Sequence, residues 1–271
     1  MYVQGLPGNS RTEEWNVSLT TFTGASWASG GNVNNTRRNA GCMGTQTAAL
    51  YAGGFSPPYV NYSEEYNGST WTEGNNLTIA RECSTSGFGT QTAGAVAGGG
   101  APDNISSPYS GYSNSTDEYD GTSWSEGGDI NSHRLGMATC GTQTAGFVCG
   151  GQPNPSIAER SMFYDGTNYS SGPNLPDGYQ VGDGMWGTQT ASLAARAYVY
   201  GPPNTETNHI LEYDGTSWSR LSATCAQTIA AAACGKFGTS TAGIVFGGQP
   251  PHSNATEEWT RAATVRKADT S

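Results

Sequence analysis

Tyrosines in the irregular stretches of this chain are its clearest candidates for contact with a ligand. Aromatic rings offer flat apolar faces with a polar edge, which suits sugar rings, and neighbouring Asn and Asp side chains can bond hydroxyl groups. Loops made of Pro and Tyr also pack on themselves, so each of these residues has a purely structural interpretation as well. The candidate ligand-binding residues are Tyr59, Tyr62, Tyr109, Tyr112 and His252.

Residue types associated with catalysis are present but not arranged for it. The paired acids at 64–65 and 257–258 recur at one position of a repeat, which a solvated strand edge explains better than acid–base chemistry. The three histidines are scattered, the six cysteines form no C-x-x-C pair, and no Ser-His-Asp or Cys-His arrangement can be assigned. The sequence therefore predicts no catalytic residues, no metal site and no cofactor, and it predicts buried free thiols at the cysteines.

One short turn recurs five times and must organise whatever holds these tyrosines. It reads Gly-Thr-Gln-Thr in four copies and Gly-Thr-Ser-Thr in the fifth, at intervals of 45, 52, 46 and 51 residues; the copies begin at Gly44, Gly89, Gly141, Gly187 and Gly238. A repeat of this period indicates one supersecondary unit copied around a ring or along a stack. We expect the glutamines to bond locally and to hold their own turns.

Each unit contains the pattern of two β-hairpins. After the turn comes a strand that is apolar or small on both faces and ends in Gly-Gly, as at 93–99. An acidic and aromatic strand follows, as at 116–119, and then an Asn-Gly or Asp-Gly turn, which is the strongest short hairpin signal. An aromatic residue marks the fourth strand, and we expect Trp71, Trp124 and Trp218 to be wedges between neighbouring units.

The order of these features resembles that of the kelch repeat: a Gly-Gly pair ends the second strand, an aromatic residue lies in the third, and a tryptophan lies in the fourth. The resemblance covers nearly the whole chain and implies a β-propeller with blades of four antiparallel strands. The Gly-Thr-Gln-Thr-Ala turn departs from typical kelch sequences. Together with Glu-Glu-Tyr-Asn-Gly-Ser-Thr-Trp at 64–71, it is similar to blades of predicted virion and tail-fibre proteins of bacterial viruses.

Counting the paired strands predicts an all-β, five-bladed propeller. If 21–27 aligns with 65–71, the chain starts and ends within one blade, and N-terminal outer strands pairing with C-terminal inner strands close the ring. We expect an N-terminal extension or strand-exchange segment at 1–19, the propeller at 20–255, and a C-terminal strand or tail at 256–271. The Thr-Glu-Glu-Trp motifs at 12–15 and 256–259 compete for one place, so one of them is spare or pairs with another copy of the chain, giving a homo-oligomer.

Composition and charge narrow the range of partners. A net charge of −10 without a basic patch argues against nucleic acid as a partner, and no apolar run is long enough to insert across a membrane.

The divergent loops after each Gly-Gly favour a non-enzymatic binding or structural module. The viral resemblance implies a virion component, made in the host cytoplasm, that contacts other virion proteins or a host-surface glycan. Two alternatives stay open: a kelch-type enzyme, such as a copper oxidase or a glycan-active enzyme, and an intracellular protein-binding scaffold.

Overall fold

The computed structural model describes residues 30–83, 86–102, 111–152, 155–176, 179–180, 184–195, 198–199, 205–225, 237–246 and 256–261. The chain divides into two compact units, residues 1–30 and residues 31–271. All the secondary structure below belongs to the second unit. It confirms an all-β chain whose four-stranded antiparallel blades form a five-bladed propeller.

The first three blades are simple antiparallel meanders, each hydrogen-bonded in chain order. The first contains β1 (Gly41–Thr45), β2 (Ala48–Ala52), β3 (Ser63–Tyr66) and β4 (Trp71–Glu73). The second contains β5 (Gly87–Gly89), β6 (Gly94–Gly100), β7 (Tyr112–Tyr119) and β8 (Trp124–Glu126). The third contains β9 (Ala138–Thr142), β10 (Ala145–Cys149), β11 (Ser161–Tyr164) and β12 (Tyr169–Ser171), with a four-residue helix α1 (Pro155–Ala158) before β11.

The fourth blade is interrupted by a small extra sheet. That sheet has the order β13 (Tyr179–Gln180), β16 (Tyr198–Val199), β17 (Thr205–Glu206). The blade itself contains β14 (Met185–Thr188), β15 (Ala191–Ala195), β18 (His209–Tyr213) and β19 (Trp218–Thr224). No helix among the residues described is long and apolar enough to cross a membrane.

The fifth blade decides between the two Thr-Glu-Glu-Trp motifs. It contains β20 (Phe237–Thr239), β21 (Ala242–Phe246) and β22 (Thr256–Thr260), in that order. The C-terminal motif is therefore its third strand, paired along β21 from Ala242↔Thr260 to Phe246↔Thr256. The segments expected to close the ring and to extend it, 21–27 and 1–19, lie outside the described residues.

The recurring turn is set by its glycine. Gly44 has a φ of 102°, and a Cβ there would lie 2.2 Å from the carbonyl oxygen of Ala48 across the hairpin. Glycine alone tolerates that backbone conformation and that close approach. The equivalent glycines of the other four turns also have positive φ, so the same turn conformation connects the first and second strands of every blade. The first strands β1, β5, β9, β14 and β20 lie side by side in chain order.

Aromatic side chains fill the space between blades, as the pattern predicts. Trp124 is buried and donates from Nε1 to the Ser63 hydroxyl of the preceding blade at 3.3 Å. Trp218 of the fourth blade stacks on Phe147 of the third, with ring centroids 5.5 Å apart. Trp71 is half-buried and packs on Tyr66 of its own blade. The buried apolar residues form four clusters, each shared by two successive blades.

The repeated glutamines do not bond within their own turns, and the expectation that they would was wrong. Gln91 donates from Nε2 to the carbonyl oxygens of Ala49 and Tyr66, at 3.0 and 2.7 Å, both in the preceding blade. Gln143 and Gln189 repeat this geometry one and two blades further on. We call this contact the glutamine staple. It satisfies one carbonyl on the second strand and one on the third, so it joins blades rather than holding a turn.

The paired acids at 64–65 form buried or inter-blade contacts, which the sequence did not predict. The side chain of Glu64 is fully buried and forms an ion pair with Arg37 at 2.5 Å, so it is not a solvated edge residue. Its neighbour Glu65 accepts a hydrogen bond from the Tyr119 hydroxyl of the next blade. In the same way Glu118 accepts from Tyr164 at 2.8 Å. Burial and this bond raise the pKa of Tyr164, which stays a neutral donor.

Candidate ligand-binding surface

The blades present two different ends to solvent. One end carries the recurring turns between the first and second strands and the Asp-Gly turns between the third and fourth. In the Asp-Gly turns, the aspartate side chain accepts hydrogen bonds from the backbone N–H groups two and three residues later, as it does at Asp120, Asp165 and Asp214. We call the opposite end the loop face: it contains residues 36–40, 53–62, 81–83, 98–102, 131–137, 150–152 and 155–160. There, in the first three blades, the segment leading into the first strand bridges to the loop that follows the glycine doublet of the same blade. The loop face is the end whose sequence differs from blade to blade.

An aromatic and cationic group lies at the first blade's part of the loop face. Phe55 and Tyr59 meet edge to face, with ring centroids 5.2 Å apart. The Arg38 guanidinium carbon lies 4.9 Å from the Phe55 ring centre, and Arg38 and Phe55 exchange both backbone hydrogen bonds, at 3.1 and 2.8 Å. A cation over an aromatic face is attractive and keeps the guanidinium near that ring. Arg38 is exposed, and both rings are half-buried.

A polar pair adjoins this aromatic group and links it to the second blade. The Asn39 amide donates to the Glu82 carboxylate, and Glu82 exchanges backbone hydrogen bonds with Gly100 at 2.7 and 2.8 Å. Asn39 has a φ of 56° and is exposed, the one non-glycine with positive φ among the described residues. Non-glycine residues in this conformation are uncommon and cluster at functional sites. We call Arg38, Asn39, Phe55, Tyr59 and Glu82 the loop-face cluster.

The structure places three of the five residues proposed from the sequence. Tyr59 belongs to the loop-face cluster, and its ring lies 3.5 Å from the position that a Cβ on Gly100 would take. Tyr112 is half-buried on β7 directly opposite Gly100, so Tyr59 and Tyr112 both flank that glycine. Tyr62 is 38% exposed and lies at the start of the third strand. Tyr109 and His252 lie outside the described residues.

An ion pair anchors the first blade's part of the loop face. Arg37 is held by Glu64 and by the carbonyl oxygens of Gly53 and Tyr51, and its guanidinium lies 4.3 Å from the Tyr51 ring centre. Burial raises the pKa of Glu64, but the bonds from Arg37 and from two backbone N–H groups outweigh burial and hold that pKa below its ordinary value. Burial also raises the pKa of Tyr51 to about 12. Glu64 is therefore ionised and Tyr51 is neutral at neutral pH.

Groups that could perform redox or hydrolytic chemistry are not brought together in this region. Among the described residues, no three His, Cys, Asp or Glu side chains converge on a point that could hold a metal ion. His133 precedes the third blade, whereas His209 lies in the fourth. Burial raises the pKa of Cys83 to about 11, so its thiol is protonated and unreactive at neutral pH. The loop-face cluster can offer stacking, cation and hydrogen-bond contacts to a ligand.

Sequence reasoning missed Arg38, Asn39 and Glu82. A signal for two of them was available, because an arginine recurs in the segment that leads into the first strand of the first three blades. The residue after that arginine is Arg38 in the first blade, Glu82 in the second and Leu135 in the third. This position changes from basic to acidic to apolar between copies beside a constant arginine, and variable loop positions on a constant frame are where binding residues concentrate. The tyrosines drew attention first because of their size.

Comparison with known proteins supports the architecture alone. No family model matches the chain, and no curated protein matches it in sequence. Among solved structures, that of YjhT matches with a TM-score of 0.63 and 13% sequence identity, over 83% of this chain and 80% of that chain. An identity this low shows the shared β-propeller fold and carries no residue roles. The kelch and viral resemblances of the sequence stay predictions.

Proposed function

We propose that this chain is a non-enzymatic binding module that recognises a glycan at the loop-face cluster. The observation that carries the proposal is the exposed Asn39, which is held at positive φ with its amide bonded to Glu82, beside the Phe55–Tyr59 aromatic pair. Asn adopts this conformation more readily than most residues, and here the amide of Asn39 is directed to Glu82 of the neighbouring blade.

The chemistry of the cluster suits a sugar better than an apolar ligand. A pyranose has an apolar face that packs on an aromatic ring, and its hydroxyl groups pair with amide and carboxylate oxygens. Tyr59 supplies the ring, while Asn39 and Glu82 supply donor and acceptor atoms joined to the neighbouring blade. Because backbone bridges fix these groups, little conformational entropy is lost when a ligand binds.

In a wider setting, we propose that the module is part of a virion appendage, contacting other virion proteins or a host-surface glycan. The proposal is motivated by the resemblance of the Gly-Thr-Gln-Thr-Ala turn to blades of predicted viral tail proteins, and by loops that diverge over a constant frame. Mass spectrometry of purified particles from the producing host tests it. Absence of this chain from every particle fraction would refute the virion role while leaving glycan binding intact.

A glycan array, followed by calorimetry on each hit, tests the binding site. We expect the wild-type protein to bind at least one glycan class, and we expect Tyr59→Ala and Asn39→Ala to weaken binding about tenfold or more, the loss of one stacking or charge-assisted contact. Gln46→Ala is the control, since Gln46 is exposed on the turn end of the same blade. Binding that survives both cluster variants, or no binding to any glycan, would refute the proposal.

A further inference from the structure

Three arginines hold one repeat position under the loop face. Arg37, Arg81 and Arg134 each donate to the carbonyl oxygen of the first glycine in their own blade's doublet, at 2.8, 3.3 and 3.0 Å. Two of them are neutralised from within the blade. Arg37 pairs with Glu64 at 2.5 Å and Arg81 pairs with Asp117 at 2.7 Å, and all four side chains are fully buried.

The third arginine has lost its carboxylate. Glu64 and Asp117 each lie on the third strand of their blade, opposite the second-strand residue that stands two positions before the glycine doublet. The residue at that position in the third blade is Met162. Arg134 is fully buried, and its guanidinium donates to three neutral groups: the Gly150 carbonyl, the Ser132 hydroxyl at 2.7 Å and the Asn131 amide oxygen at 3.1 Å. No carboxylate of the described residues lies within 4.0 Å of it.

A second cation lies close by. Arg160 is exposed, and its backbone oxygen accepts from the Gly150 N–H at 2.9 Å, so Gly150 contacts both arginines. Burial and the nearby Arg160 lower the pKa of Arg134 to about 10, which still leaves it charged at neutral pH. A buried charge without a counter-ion is unfavourable, and none of the residues that the structure describes supplies one to Arg134. In a chain of net charge −10, this is a local excess of positive charge.

We propose that the third blade's part of the loop face is a binding site for an oxyanion: a carboxylate, sulfate or phosphate group of a ligand. Arg160 makes the direct ion pair, and Arg134 lies beneath it with no carboxylate partner in the part of the chain that the structure describes. Because the Asn131 amide oxygen is occupied by Arg134, the amide N–H groups of Asn131, an exposed residue, are left to donate to the anion. The site does not depend on the glycan proposal, since it uses none of the loop-face cluster.

The experiment measures binding of acetate, sulfate and phosphate by calorimetry at constant ionic strength, with acetamide as the neutral analogue of acetate. We expect at least one of the three anions to bind saturably and acetamide not to bind. Arg160→Gln should weaken binding about tenfold or more, the value of a hydrogen bond to a charged group. Arg220→Gln is the matched control, because Arg220 is an exposed arginine on β19 of another blade.

A variant that restores the missing carboxylate makes the test decisive. Met162→Glu copies the first blade, so it should neutralise Arg134 from inside and abolish anion binding. If Met162→Glu does not fold, Arg160→Gln still decides, because that side chain is exposed. A preference for acetate would indicate an acidic ligand, and a preference for sulfate or phosphate would indicate an ester. No saturable binding of any anion, or binding unchanged in Arg160→Gln, would overturn the proposal.

Discussion

Removing one glutamine staple should loosen the junction that it bridges. Gln143 of the third blade donates from Nε2 to the carbonyl oxygens of Gly94 and Tyr119 in the second blade, both at 3.0 Å. Alanine at this position deletes both hydrogen bonds and leaves two carbonyl groups beneath the turn without this donor. Since the Gln143 side chain is half-buried, water replaces the lost donor only in part.

The expected loss follows from the two bonds. A net contribution of about 1 kcal/mol for each hydrogen bond predicts that Gln143→Ala lowers the free energy of unfolding by about 2 kcal/mol. For a domain of this size, that corresponds to a fall of about 4–8 °C in the midpoint of thermal unfolding. Urea titration followed by tryptophan fluorescence measures the change, with the slope m compared between variants to check that the unfolded state is unaltered.

The chain supplies its own control at another copy of the turn. Gln46 has the same neighbours in sequence but is exposed, so Gln46→Ala should change stability by less than about 0.5 kcal/mol. Gln91→Ala and Gln189→Ala should each resemble Gln143→Ala, and the effects should add because the junctions are far apart. If Gln143→Ala and Gln46→Ala were equally stable, the staple would contribute nothing and the reasoning would fail.

Three further variants test other parts of the fold. Gly98→Val should cost about 3 kcal/mol or more, since φ is 59° and a Cβ would lie 2.7 Å from the Arg134 carbonyl; a normal melting curve would contradict this. Glu64→Gln should cost about 3 kcal/mol by leaving Arg37 unpaired, and a loss below about 1 kcal/mol in urea would show that the ion pair is dispensable. Hydrogen bonds from the backbone N–H groups of Ser123 and Thr122 lower the pKa of Asp120 in the folded protein. The stability that Asp120 contributes is therefore present above its unfolded-state pKa of about 3.9 and is lost as the pH falls through its folded-state pKa. Asp120→Asn should therefore flatten the acid limb of a melting-temperature profile, as the natural Asn67 suggests, and an unchanged limb would refute the assignment.

Local sequence signals were sufficient for the blade. The Gly-Gly doublets, the Asp-Gly turns and the recurring turn each depend on backbone conformations that few residues adopt, so their positions fix strand ends directly. The strand expected at 93–99 is β6, buried at every residue. The insertion β13–β16–β17 was not predicted, because its strands are two residues long and belong to no repeat.

Contacts between blades were much harder to predict. Nothing in the recurring turn says that Gln91 reaches back to Tyr66, since the partner is a backbone carbonyl 25 residues away whose own side chain carries no signal. Glu64 was interpreted as exposed because it is charged. Its burial depends on Arg37, and only the folded blade brings that partner within 2.5 Å.

Only part of the candidate site could be predicted from the sequence. Tyr59 could be proposed from composition, because a tyrosine in a Pro-rich variable loop is informative by itself. Asn39 could not, since its significance lies in a backbone angle and in a bond to the second blade. Arg134 was not among the candidate residues either, because the carboxylate it lacks becomes apparent only when Met162 is aligned in space with Glu64.

The glutamine staple also bears on how such a chain can change during evolution. Each stapled blade brings its own donor and docks on main-chain oxygens, which every amino-acid sequence possesses. A gene duplication that inserted another copy would therefore dock on its predecessor without any matching substitution there. The last blade has Ser240 where the others have glutamine, and there Trp186 of the fourth blade donates to the Thr239 carbonyl instead. Insertions should be tolerated among the earlier copies and resisted at this final one.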